Sequence, residues 1–197
     1  MPSTQKVSRK QQILESLARE LERNPGTSIT TAGLAKAVGV SEAALYRHFA
    51  SKAKMFEALI EFSEESVFSL CNRIQAEEKN VATRCEKTLH LLLGFSEKNP
   101  GITRILLGDA IVGENERLRI RAGQFYERLE TQLKQFLREG IMHNELAEDT
   151  PINAYANLLL AIVEGRMIQY VRTNFTKKPT ENWTQQWNAL QTSVFSQ

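Results

Sequence analysis

Residues 30–49 read TTAGLAKAVGVSEAALYRHF. Thr30 or Thr31 can cap a helix over 31–38, because a side-chain hydroxyl accepts a hydrogen bond from the free N–H groups of a first turn. Gly39 follows where a helix ends in a residue of positive φ. Val40 then turns into a core, and Ser41 caps a second helix over 42–48. Ala35, Val40 and Leu45 are the small and apolar residues at which two crossing helices can pack closely. The order is Thr, four residues, Ala, three residues, Gly-Val-Ser, three residues, Leu-Tyr. It is that of a helix-turn-helix, whose second helix lies in a DNA major groove.

Helical geometry says which side of the second helix faces DNA. At about 100° per residue, Leu45 and Phe49 share the inner face, which turns Ala43 and Arg47 outward and puts Ala44 and Tyr46 on the flanks. Arg47 is the best base or phosphate contact, while His48 leans toward the core flank as a structural residue or phosphate neighbour. The methyl of Ala43 suits close approach to the groove floor or contact with a thymine methyl. Glu42 has two open readings: a carboxylate favoured by the helix dipole, or an acceptor for a cytosine amino group. Lys52, Tyr46, Thr30 and Thr31 are placed to clasp phosphates, contacts that position without reading sequence. Arg9 and Lys10 sit at the positive end of the first helix, which costs about 0.3–1 kcal/mol each unless an anion is near. The candidate DNA-contacting residues are therefore Arg9, Thr30, Thr31, Ser41, Ala43, Ala44, Tyr46, Arg47, His48 and Lys52. They imply a palindromic double-stranded site with few directly read bases per half-site, DNA shape supplying the rest.

The charge distribution agrees. The net charge is +2, but residues 1–60 hold nine basic against five acidic side chains, a net of +4, and the remainder is −2. No stretch approaches the roughly 18 uninterrupted apolar residues of a membrane span, and the polar N-terminus lacks a signal-peptide core. A cytoplasmic, nucleoid-associated protein is expected. Cys71 and Cys85 fall in apolar periodic stretches and read as reduced core thiols.

Apolar spacing of 3 and 4 throughout predicts an all-helical chain. The first helix begins at Ser8, with Gln11 as the other half of a capping box. Others are expected over 31–38, 42–48, 52–77, 81–98, 102–110, 115–139, 151–173 and 180–195, with Pro25 and Pro100 in Asn-Pro-Gly stops. The expected division is a helix-turn-helix domain over 1–54 and a helical dimerisation and partner-binding domain over 55–197. On the fourth helix Phe56, Leu59, Ile60, Ser63, Val67, Leu70 and Ile74 form one apolar stripe, and Phe62 points away from it. On the fifth, Cys85, Leu89, Leu92 and Ser96 form the stripe, leaving Leu91, Gly94 and Lys98 on the opposite side. The two most apolar helices are the last two. Gly165, Trp183, Trp187 and Leu190 are the candidate homodimer residues, because Gly in mid-helix permits close approach of a second helix.

The stretch TTAGLAKAVGVSEAALYRHFASKAKMFEALI resembles the TetR family of dimeric regulators, which have a three-helix DNA module and a six-helix domain for ligand or partner binding and dimerisation. KMFEALIEF, LLLGFSEKNPGITRIL and FTKKPTENW are similar to the family's nucleoid occlusion branch. That resemblance implies a dimer that binds chromosomal sites and, when DNA-bound, antagonises the tubulin-like division GTPase FtsZ. It also implies that Phe62, Leu91, Gly94, Lys98 and Asn99 form the FtsZ contact. Three residues depart from the branch: Ala50 replaces a usual Pro, Asp109 a His, and Leu70 a basic residue of the partner region.

Two other functions compete with this one. A ligand-responsive repressor needs converging polar groups in an apolar pocket, for which Glu164, Arg166, Tyr155 and Tyr170 are available without any sign of convergence; no small-molecule ligand is expected. An enzyme is disfavoured because His48, His90 and His143 are far apart in sequence and there is neither a phosphate-binding glycine loop nor a nucleophile motif. No catalytic residue, metal or cofactor is expected.

Overall fold

A computed structural model describes residues 8–195, which form nine α-helices and one 3₁₀ turn. The helices are α1 (Arg9–Arg23), α2 (Thr31–Val38), α3 (Glu42–His48), α4 (Lys52–Glu77), α5 (Val81–Lys98), α6 (Pro100–Leu106), α7 (Glu116–Met142), α8 (Ile152–Arg172) and α9 (Trp183–Phe195), with the 3₁₀ turn at Asp109–Ile111.

The caps follow the sequence closely. Ser8, Thr30 and Ser41 accept from the amides of Gln11, Gly33 and Ala44 at 3.2, 3.1 and 3.2 Å. The capping box at α1 is only half formed, because the Gln11 side chain bonds Glu15 further along the helix instead of turning back. Gly39 ends α2 at φ +74° in the left-handed region, a conformation that costs glycine little. Leu34, Ala35, Leu45 and Phe49 pack with Ile13, Leu17 and Leu21 of α1, and this cluster is continuous with the core of α4 to α9. Cys71 and Cys85 are buried free thiols in that core; burial pushes the Cys71 thiol up to about 11 and raises Cys85 too.

Three expectations about element boundaries are corrected. Pro100 does not close α5 but opens α6 as its first residue, where its missing N–H has no intrahelical acceptor to lose. The helix expected over 102–110 instead stops at Leu106, because Gly108 adopts φ +83° and the chain restarts as the 3₁₀ turn. In the same way α9 starts at Trp183 rather than 180. The Arg166 guanidinium holds the preceding turn, donating to Pro179 O at 2.6 Å, Lys178 O at 3.2 Å and also Glu181 O.

The position of α1 on the rest of the molecule is set at α6. A Cβ added to Gly101 would lie 2.0 Å from the Ala18 carbonyl oxygen, so the two backbones approach as closely as glycine allows. Three residues on, Arg104 is 1% exposed, and its guanidinium donates to Leu21 O at 2.6 Å and Asn24 O at 3.1 Å while pairing with Asp109. The Leu21 carbonyl, which α1 cannot satisfy at its own C-terminus, is thereby bonded from another helix, while Asn24 O also accepts from Thr27. In an open helix Gly→Ala is favourable by about 1 kcal/mol. Gly101→Ala should instead destabilise by about 1–3 kcal/mol through overpacking, lowering Tm by about 2–4 °C for each kcal/mol in a chain of this size. Thermal unfolding followed by circular dichroism checks the sign.

Candidate functional site

Helices α2 and α3 present one polar face. Thr30, Ser41, Ala43, Arg47 and His48 are exposed, Tyr46 is 45% exposed, and Thr31 and Ala44 are half-buried. The hydroxyls of Thr30 and Ser41 accept from their capped amides, which leaves each O–H free to donate to an anion. Arg47 has no ion-pair partner among the described residues. His48 corrects an expectation, because it points out to solvent instead of toward the core. With seven residues α3 buries only Leu45, so the flank on which His48 lies is left uncovered.

The cations around this face are less uniform than the sequence suggests. Arg9 is exposed and its Nη1 donates to Gln12 at 3.0 Å, while the Lys10 ammonium lies 5.4 Å from the Phe49 ring centroid. Lys52 is not an open cation. Its Nζ is 2.6 Å from Glu114 Oε1, on the segment between the 3₁₀ turn and α7, and 5.5 Å from the Phe56 centroid. To meet a phosphate it must leave Glu114, a partner 62 residues away that no local pattern could reveal. Thr31 also has a partner, donating to Glu42 at 2.8 Å.

A second feature lies between α4 and α5, a cleft of about 490 Å³ whose walls include Leu70, Ile74, Leu91, Gly94, Lys98 and Asn99. Phe62 is 46% exposed, with its ring 6.3 Å from that of Phe95, another residue of the cleft. The five residues expected to meet a partner are thus brought to one side of the molecule. Leu91, Gly94 and Asn99 are half-buried there and Lys98 is exposed. Gly94 has open space where a Cβ would be, so nothing within the chain demands glycine. Leu70 corrects the stripe drawn for α4: it is 41% exposed, whereas Phe68 and Cys71 are buried. Over 26 residues the 3.6-residue period moves the inward face from Val67 to Cys71. Leu70 consequently presents an apolar side chain to the cleft.

The expected dimer residues separate into two groups. Trp183 and Trp187 are 2% and 6% exposed within the single chain. Trp183 donates its indole N–H to Glu86 at 2.9 Å, and Trp187 stacks between Trp183 and Phe195. They close this chain's own core and cannot form an external face. Leu190 is half-buried. Gly165 lies on the outer side of α8, aligned with Leu158, Ala161 and Ile168, of which Leu158 is 43% and Ile168 48% exposed. A Cβ at Gly165 would also meet nothing.

Two of the four side chains considered for a ligand pocket are bonded within the fold. Arg166 is bonded to the turn before α9 and to Gln186 at 2.6 Å, and the Tyr170 hydroxyl donates to Glu97 O at 3.2 Å. Tyr155 is half-buried. Burial, helped by the nearby Glu130 carboxylate, raises the pKa of Glu164. No described helix is long and apolar enough to cross a membrane.

Comparison with known proteins agrees with this arrangement. Residues 13–59 match the model of the tetR family of bacterial regulatory proteins, and residues 79–194 match the SlmA-like model described as a tetracyclin repressor-like C-terminal domain. The chain is 54% identical over 190 residues to the nucleoid occlusion factor SlmA of Alteromonas mediterranea, covering 96% of this chain and 97% of that protein. It is 55% identical over 188 residues to the same factor of a Marinomonas species, covering 95% of each. Among solved structures, a TetR transcription regulator from Haloarcula marismortui superposes with TM-score 0.78 at 20% identity, over 95% of this chain and 98% of that one. The MbdR regulator from Azoarcus does so with TM-score 0.78 at 17% identity, over 96% and 98%.

Proposed function

Since the chain belongs to the SlmA-like nucleoid occlusion factors of the TetR family, we propose that it binds specific chromosomal DNA as a homodimer and, when DNA-bound, antagonises FtsZ assembly over the nucleoid. Residues 1–54 are the DNA-binding part, and residues 55–197 serve dimerisation and partner binding. Arg9, Thr30, Ser41, Tyr46, Lys52 and His48 contact phosphates, and Arg47 with Ala43 and Ala44 faces the groove. Phe62, Leu91, Gly94, Lys98 and Asn99 meet FtsZ. The outer stripe of α8 meets the second copy.

The observation that carries this reading is the open cleft between α4 and α5. It gathers apolar walls, an uncrowded glycine and an exposed lysine, with the exposed Phe62 beside it against Phe95, which suits a partner chain carrying apolar and acidic side chains. Two of the polar groups a buried-ligand site would use, Arg166 and Tyr170, are bonded within the fold instead, which counts against a ligand-responsive repressor.

Four outcomes are expected. In GTP-dependent FtsZ polymerisation with a cognate duplex, the wild type should inhibit, while Phe62→Glu and Leu91→Glu should weaken inhibition by about tenfold or more, as for a central apolar contact worth about 1.4–2 kcal/mol. Their DNA affinity should not change. Inhibition by the variants equal to wild type removes this cleft from the mechanism.

Lys52→Ala should reduce the slope of log K against log salt by about 0.9 for each phosphate that the lysine neutralises. Glu114→Gln should strengthen DNA binding by up to about fivefold, since it frees Lys52 from a partly exposed ion pair worth at most about 1 kcal/mol. Titrations by fluorescence anisotropy over a salt series check both. Leu158→Glu combined with Ile168→Asp should give a monomer in sedimentation velocity, with roughly half the salt slope of wild type.

A further inference from the structure

Thr31 opens α2 and Glu42 opens α3. The Thr31 hydroxyl donates to Glu42 Oε2 at 2.8 Å across the turn between the two helices. Glu42 is exposed and Thr31 half-buried, and Glu42 stands in the first turn of α3 immediately before Ala43. No cation is paired with this carboxylate among the described residues. A charge that served only the dipole of α3 would need no such link to another helix.

The bond constrains what each partner can do. A hydroxyl has one proton, and that of Thr31 is given to Glu42, so Thr31 cannot donate to a phosphate at the same time. An ionised carboxylate only accepts hydrogen bonds, so against DNA phosphates it finds repulsion and no donor. The groups in a major groove that can satisfy it are the exocyclic amino groups, N4 of cytosine and N6 of adenine. The neighbouring Ala43 and Ala44 are small enough to let the start of α3 approach the base edges.

We infer that Glu42 determines specificity by accepting a hydrogen bond from the amino group of a cytosine or adenine in each half-site, and that Thr31 is the positioning residue that aims it. This rests on the DNA-binding reading above and assigns part of the discrimination to a residue of the opposite charge to the phosphate contacts. Glu42 rejects bases that present only acceptors and lowers affinity for DNA in general, so it improves the contrast between specific and random sites. The threonine hydroxyl keeps the carboxylate from rotating toward the backbone.

The test is binding-site selection on random duplexes with wild type, Glu42→Gln, Glu42→Ala, Thr31→Val and Thr31→Ser, followed by affinities on the selected and a scrambled duplex at one salt concentration. Wild type should fix one symmetric position per half-site, and whether it holds C or A identifies the amino group. Glu42→Ala should lose roughly tenfold preference at that position alone, and Glu42→Gln, whose amide can pair with adenine N6 and N7, should hold adenine there; both should bind the scrambled duplex more tightly. Thr31→Val should blunt the same position without changing its favoured base, and Thr31→Ser should restore it. A Glu42→Ala variant whose selected sites equal those of wild type at every position overturns the inference. So does a loss spread evenly over all positions. A wild type that enriches no sequence overturns the DNA-binding reading itself, a result that the variants cannot mimic.

Discussion

The guanidinium of Arg104 lies buried between two carbonyls at the end of α1 and the carboxylate of Asp109. Left unpaired there, its charge would cost several kcal/mol, so the surrounding groups must stay where they are. One turn earlier Gly101 brings α6 against the backbone of α1. Together they fix α1, and α1 in turn packs on α2, α3 and α4. The orientation of the helix-turn-helix relative to the larger helical body therefore depends on one charged side chain and one missing methyl. Asp109 provides the counter-ion.

Helix α4 joins the functional faces. Its first residue, Lys52, is held by Glu114, its middle turns bury Leu59, Ile60, Ser63 and Val67, and its outer side supplies Leu70 to the cleft and carries the exposed Phe62. Anything that draws Lys52 from Glu114 acts on the same rigid helix that bears the cleft. Ion pairs between α4 and α7, Glu64 with Arg121 and Glu57 with Arg117, brace it along its length.

Much of this is legible in the sequence because it is local. Capping hydroxyls, Gly39 and the 3.6-residue stripes depend on neighbours within a few positions, so α2, α3, α4 and α5 fall at their expected residues. The separation of Leu91, Gly94 and Lys98 from the buried face of α5 follows from the same periodicity. Sequence and structure diverge where a local signal has two outcomes. A proline in Asn-Pro-Gly can end one helix or begin the next, and Gly108 breaks a helix that apolar spacing alone would continue. His48 faces solvent against expectation because a helical wheel gives an angle and not whether another element covers it.

An all-helical chain, a helix-turn-helix near its start and the residues on each helix face follow from sequence alone, since hydrogen bonding and amphipathic burial within one helix are short-range. That Lys52 is held by Glu114, that Glu42 is held by Thr31, and that the tryptophans of α9 fill this chain's own core rather than a dimer face emerge only once the helices are packed. Each of these is an interaction between side chains on separate elements. Its geometry depends on how the helices cross, a long-range property that no window of sequence contains.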